Sequence, residues 1–107
     1  MSEEKKIKSI IQKDKECFIC RKYFKIEGSP DDVHHCIHGS MRERADKDGL
    51  TVYLCRFHHE RLHDKGEFDR ALQVEAQRCF ISNEIRKGFT EEDARNTWYS
   101  HYQKFWE

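Results

Sequence analysis

The chain has 107 residues, 36% of them hydrophobic and 37% charged, with a formal net charge of zero. That length supports a single domain over 1–107 with a modest core, and so sparse an apolar set favours a fold stapled by metal over one held by a large interior. No apolar run approaches the roughly 18 residues of a membrane helix, and the balanced charge neither requires nor excludes a polyanionic partner.

The opening Met1-Ser2-Glu3-Glu4-Lys5-Lys6 has no hydrophobic leader segment, and the five cysteines are an odd number with metal-like spacing. A disulfide framework is therefore not expected, and a soluble, unanchored protein of a reducing cytoplasm is. Along the chain, Ile7 to Gln12 reads as a short strand. Cys17-Phe18-Ile19-Cys20 reads as a knuckle turn, and Gly28-Ser29-Pro30-Asp31 supplies the turn that starts a second segment at Val33. Val33-His34-His35 is expected as one strand of a hairpin, residues 36–49 as a loop, and Leu50 to Leu54 as the clearest strand. A helix is expected from near Cys55 to about His63. From Phe68 to about Arg86 the apolar positions recur at helical intervals until Gly88. Thr90-Glu91-Glu92-Asp93 resembles a capping box, after which Ala94, Trp98, His101, Tyr102 and Phe105 place a last helix running to the C-terminus.

Cys17 and Cys20 form C-x2-C, and Cys55 and His58 form C-x2-H, separated by the 34 residues from 21 to 54. Three thiolates and one imidazole suit a closed tetrahedral Zn2+ site, here tying together the ends of a hairpin insertion. Cys36 is the alternative fourth ligand in place of His58, and Cys79, on an apolar helix face, reads as core.

Four of the seven histidines come as the pairs His34-His35 and His58-His59, with His63 one turn further on. On a helix advancing about 100° per residue, Cys55 and His58 point one way while His59 and His63 point about 90° away, so one helix can serve two metals. His34 or His35 would complete the second set from the hairpin. Strict strand alternation sends His34 and His35 to opposite faces, so the strand is expected to end or bulge there. His38 and His101 read as ordinary hydrogen-bonded histidines.

Cys17-x-x-Cys20, His34-His35, Leu54-Cys55-x-x-His58-His59 and His63 together resemble an HNH endonuclease of the ββα-metal, or His-Me finger, type, over roughly residues 15–65. The run Val52 to His59 with Leu72-x-x-Glu75-Ala76-Gln77-Arg78-Cys79-Phe80 resembles small phage-encoded HNH proteins related to the recombination-enhancement nuclease. The resemblance implies an α+β fold, a ββα-metal core with a zinc knuckle at about 15–65 followed by two C-terminal helices in an extension at about 66–107. It implies His34, His59 and His63 as ligands of a catalytic divalent ion, His35 as general base, and DNA phosphodiester cleavage leaving a 5′-phosphate and a 3′-hydroxyl. The middle Asn of the family pattern is absent, with Asp48 and Gly49 near its place.

An all-imidazole site is softer than Mg2+ prefers, so Mn2+, Ni2+, Co2+ or Zn2+ would bind more tightly than Mg2+. Arg42, Arg44, Arg56 and Arg61 flank the constellation and could clamp phosphates bidentately, although a solvated surface role is the plainer reading of each alone. Lys5, Lys6 and Lys8 could touch a phosphate backbone in the same way, or form a solvated face. Trp98, Tyr99, Tyr102, Phe105 and Trp106 read as packing of the last helix or a dimer contact before base stacking. The competing function is a noncatalytic, treble-clef-like zinc module that binds nucleic acid or protein through Cys17, Cys20, Cys55 and His58 alone, which leaves the other clustered histidines without a task. Hydrolysis of another phosphoester is a third reading, because metal, base and phosphate clamp would look alike. Breaking both strands of a duplex with one active site requires a homodimer or two visits, and the sequence sets neither the oligomeric state nor an activating partner.

Overall fold

A computed structural model describes residues 9–106. The expected hairpin forms from β1 (Asp32–His35) and β2 (Thr51–Leu54), antiparallel in the register Asp32↔Leu54, Val33↔Tyr53, His34↔Val52 and His35↔Thr51. Alternation along β1 turns Val33 outward and buries His34, which is 2% exposed. The strand carries no bulge and ends at His35, as one of the two expected irregularities. Two strands alone are marginal in water; here Val52 and Leu54 are buried under surrounding helices, with α1 (Phe18–Phe24) against β2 and α3 (Arg56–Lys65) against β1.

Residues 36–49 are more ordered than a loop. A 3-10 turn at Gly39–Met41 leads into α2 (Arg42–Lys47), bounded by Gly39 and Gly49 at φ of 78° and 79°. The two glycines were the visible punctuation, but the six residues 42–47 between them are competent helix formers, and Ala45 is fully buried beneath them. The knuckle is likewise helical: Cys17 caps α1, its sulfur 3.4 Å from the Cys20 amide.

The strand expected at Ile7 to Gln12 does not form over its described part. Ile7, with Lys5, Lys6 and Lys8, lies outside the described residues. Ser9 Oγ accepts from the Ile11 and Gln12 amides and donates to the Thr51 carbonyl at 2.6 Å, so a local side-chain turn replaces a ladder. Gln12 Oε1 accepts from the Tyr53 amide at 2.9 Å. These side chains cover the outer edge of β2, which would otherwise offer its backbone to another strand.

The C-terminal extension is a helix pair, α4 (Asp69–Arg86) and α5 (Glu91–Tyr102). Thr90 caps α5 by accepting from the Asp93 amide at 3.1 Å. Leu72, Ala76, Phe80, Trp98 and Tyr102 join the hairpin's apolar residues in one core, with the Phe80 ring set edge-on to Trp98 at 5.4 Å. The last helix stops short of the C-terminus. Gln103 adopts a left-handed cap, and the chain hooks back so that the Lys104 carbonyl accepts from Trp98 Nε1 at 2.9 Å and Gln77 Oε1 from the Trp106 amide. Trp98 and Tyr102 thereby serve the core while Tyr99 remains exposed.

Candidate metal centres

The hairpin brings the two halves of the cysteine pattern together. Cys17 and Cys20 arrive from the start of α1, Cys55 from the end of β2 and His58 from the first turn of α3. The Cys20 and Cys55 sulfurs are 3.9 Å apart, and His58 Nδ1 lies 3.8, 3.4 and 3.3 Å from the sulfurs of Cys17, Cys20 and Cys55. Zn–S bonds of about 2.3 Å and a Zn–N bond of about 2.1 Å give tetrahedral edges near 3.8 Å for S–S and 3.6 Å for S–N. The four groups could therefore hold a metal ion such as zinc.

Their surroundings suit that task. Phe24 stacks on the His58 ring at 5.3 Å, and burial holds this imidazole below its ordinary pKa, hence neutral and free to ligate. Burial and the adjacent Cys17 and Cys55 sulfurs push the Cys20 thiol up to about 12, a cost that a divalent cation reverses by stabilising thiolates. Gly28 lies behind the knuckle and accepts from the Cys17 amide at 2.9 Å. A Cβ there would fall 2.5 Å from the Cys20 sulfur, so this glycine gives close approach as well as a turn. Cys36 stands apart from the group, fully buried in the core.

His34, His59 and His63 form a second group whose ligand atoms lie within 4.8 Å of one another. His34 is held by the sheet, and His59 and His63 by successive turns of α3 with their Nε2 atoms 3.1 Å apart. His59 Nδ1 donates to Asp32 Oδ2 at 3.0 Å, which leaves its Nε2 lone pair facing the cluster. Asp32 is itself fixed by Arg56, and that bond followed by the one from His59 holds its carboxyl below the usual range. Among the described residues, His34 Nε2 is the one buried side-chain nitrogen or oxygen with no hydrogen-bond partner. Burial first, then the neighbouring imidazoles, lower the His34 pKa to about 3, so the ring is neutral. An unpaired buried nitrogen costs about 1–3 kcal/mol; a bound cation relieves that cost, and the donor set fits a divalent ion that accepts imidazole.

His35 leaves the strand on the other side yet lines the same cleft, of about 350 Å³, with His34, His38, Arg42, His59 and His63. Asp46 Oδ1 lies 2.6 Å from His35 Nδ1, and Arg42 Nη2 lies 2.9 Å from Nε2. Because the guanidinium can only donate, Nε2 is the acceptor and Nδ1 carries the proton, donating to Asp46.

The other arginines are placed differently. Arg56 pairs with Asp32 and Arg61 with Glu67, and Arg44 is exposed on α2 outside the cleft lining. Asp48 accepts from His101 Nδ1 at 2.8 Å and from the Tyr102 hydroxyl at 2.5 Å. It anchors α5, while Asp46 reaches His35.

Three carboxylates of the site escaped sequence reasoning: Asp32, Asp46 and Asp69. Asp32 precedes His34 by two and so shares its strand face, a signal that was legible. Arg42 and Asp46 are four apart and converge on one imidazole only once 42–47 is recognised as a helix. His38 and Asp69, with side chains 2.9 Å apart beside His34, had no such local signal. No family model, curated protein or solved structure matches the chain.

Proposed function

We propose that the chain is a metal-dependent endonuclease of the HNH type, hydrolysing DNA phosphodiester bonds with low sequence specificity. One observation carries this reading: buried His34, whose Nε2 has no hydrogen-bond partner, groups with His59 and His63 in a cleft shared with an oriented histidine and an arginine. A hairpin followed directly by a helix, with the imidazoles divided between them, supports a ββα-metal core, and the cysteine group at its base supports a structural zinc.

His35 Nε2 is the atom that accepts a proton from the attacking water. Asp46 holds the ring through Nδ1–H and stabilises the imidazolium that results. Arg42 occupies Nε2 in the resting arrangement, and an incoming phosphate oxygen draws its guanidinium away, which frees the base as substrate arrives. A divalent ion held by His34, His59 and His63 would polarise the phosphate and stabilise the leaving oxygen. Low specificity follows from a cleft lined by imidazoles and one guanidinium, groups that address phosphate more than base edges.

The test incubates wild type and His35→Ala with supercoiled and single-stranded DNA across Mg2+, Mn2+, Ni2+ and Co2+ against a chelator. Cleavage should fall by about 10²–10⁴-fold in the variant while zinc content holds. No cleavage by wild type under any metal, with one zinc bound, would favour the binding module instead.

A further inference from the structure

His38 and Asp69 have no part in that mechanism, yet they stand beside its buried ligand. His38 follows β1 at the N-terminal side of the Gly39 turn, and Asp69 opens α4. His38 Nε2 is 2.9 Å from Asp69 Oδ1, and the His34 and His38 rings meet edge-on at 5.5 Å. The ligand atoms of His34, His38 and Asp69 lie within 4.8 Å of one another, as do those of His34, His59 and His63, so the two triplets meet at His34 alone. Ligands at adjacent corners of an octahedron with bonds of about 2.1 Å are about 3.0 Å apart, close to both the 2.9 Å His38–Asp69 and the 3.1 Å His59–His63 separations.

We propose that His34, His38 and Asp69 form a second divalent-cation station, of mixed nitrogen and oxygen character, occupied in alternation with the His34–His59–His63 station. In this proposal His34 Nε2, which has no hydrogen-bond partner, is the ligand atom of both stations, and its single lone pair cannot serve two ions at once. The stations differ in softness. Three imidazoles suit Ni2+ and Co2+, whereas a carboxylate with water completing the sphere suits Mn2+ and Mg2+. Asp69 also carries the first turn of α4, so the harder station couples the C-terminal helix pair to the cleft. This inference rests on the proposed metal site at His34, not on cleavage.

The test is metal binding by the zinc-loaded full chain, with Mn2+ followed by electron paramagnetic resonance and Ni2+ by calorimetry. Asp69→Asn and His38→Ala should each weaken Mn2+ about tenfold or more while Ni2+ changes less than about twofold, and His63→Ala should weaken Ni2+ more than Mn2+. Mn2+ and Ni2+ should compete for one equivalent beyond zinc. Simultaneous binding of both ions would overturn alternation. Unchanged Mn2+ affinity in Asp69→Asn and His38→Ala, with His63→Ala losing both ions, would reduce the pair to a hydrogen bond and leave the proposed nuclease standing. Absence of any second ion in wild type would overturn both readings. Circular dichroism of each variant separates lost ligation from lost fold.

Discussion

Replacing Gly28 by alanine isolates the geometry of the cysteine group, because the substitution adds one methyl and removes no ligand. The new Cβ would lie 2.5 Å from the Cys20 sulfur, 2.8 Å from the Cys20 Cβ and 2.9 Å from the Cys17 Cβ. Comfortable contacts between such atoms are about 3.5–4.0 Å, so the two cysteines must give by roughly 1 Å. They have little freedom to do so, since both converge on His58 Nδ1 at 3.8 and 3.4 Å. Gly28 is not among the positive-φ glycines. Alanine there would ordinarily stabilise by about 0.4–1 kcal/mol through the unfolded chain, so the expected sign reverses because of the clash. Overpacking of this kind costs about 1–3 kcal/mol, and at 1.4 kcal/mol per decade that is about five- to 150-fold in zinc affinity if the strain falls on the bound state. Competition with a chromophoric chelator reads the affinity, and a melting curve should drop by about 4–8 °C per kcal/mol. Zinc affinity within twofold of wild type, with an unchanged melting temperature, would refute the argument that Gly28 sets the approach of Cys17 and Cys20.

Further expectations follow from the buried polar groups. Cys17→Ser should lower zinc content and melting temperature together, and retention of both in a metal analysis and a melt would remove the zinc staple. His34→Leu should lose the second metal in calorimetry yet melt no lower than wild type in chelator, because it deletes an unpaired buried nitrogen at similar volume; a large drop in the chelated melt would mean that nitrogen is satisfied. Asp46→Asn should lower cleavage with zinc content intact, by weakening both the tautomer and the imidazolium of His35, and full activity would dismiss the carboxylate as an orienting group. Tyr102→Phe should cost about 1–2 kcal/mol in denaturant melts, since it removes a hydroxyl that donates to the Asp48 carboxylate; an unchanged midpoint would mean that His101 alone suffices.

What the sequence determined by itself is what short-range geometry determines. C-x2-C and C-x2-H place their ligands within one helical turn wherever the rest of the chain goes, so Cys17, Cys20, Cys55 and His58 were legible as a set. His59 and His63 share a face of α3 for the same reason, and the long periodic stretches of α4 and α5 specify helices without tertiary help. Residues 42–47 were obscured because glycine signals on both sides outweighed a six-residue helix too short to show a period, and the buried Ala45 that fixes it has meaning only in the folded core. Ile10 and Ile11 resemble a strand in isolation, but Ser9 takes the Ile11 and Gln12 amides and the Ile10 amide donates to the Gly49 carbonyl. The groups that finish the site were decided by tertiary structure alone: Asp46 reaches His35 from α2, and Asp69 reaches His38 across 31 residues. Spacing carries no trace of such contacts, because they depend on how α2 and α4 pack against a hairpin whose two strands are themselves joined only by long-range hydrogen bonds.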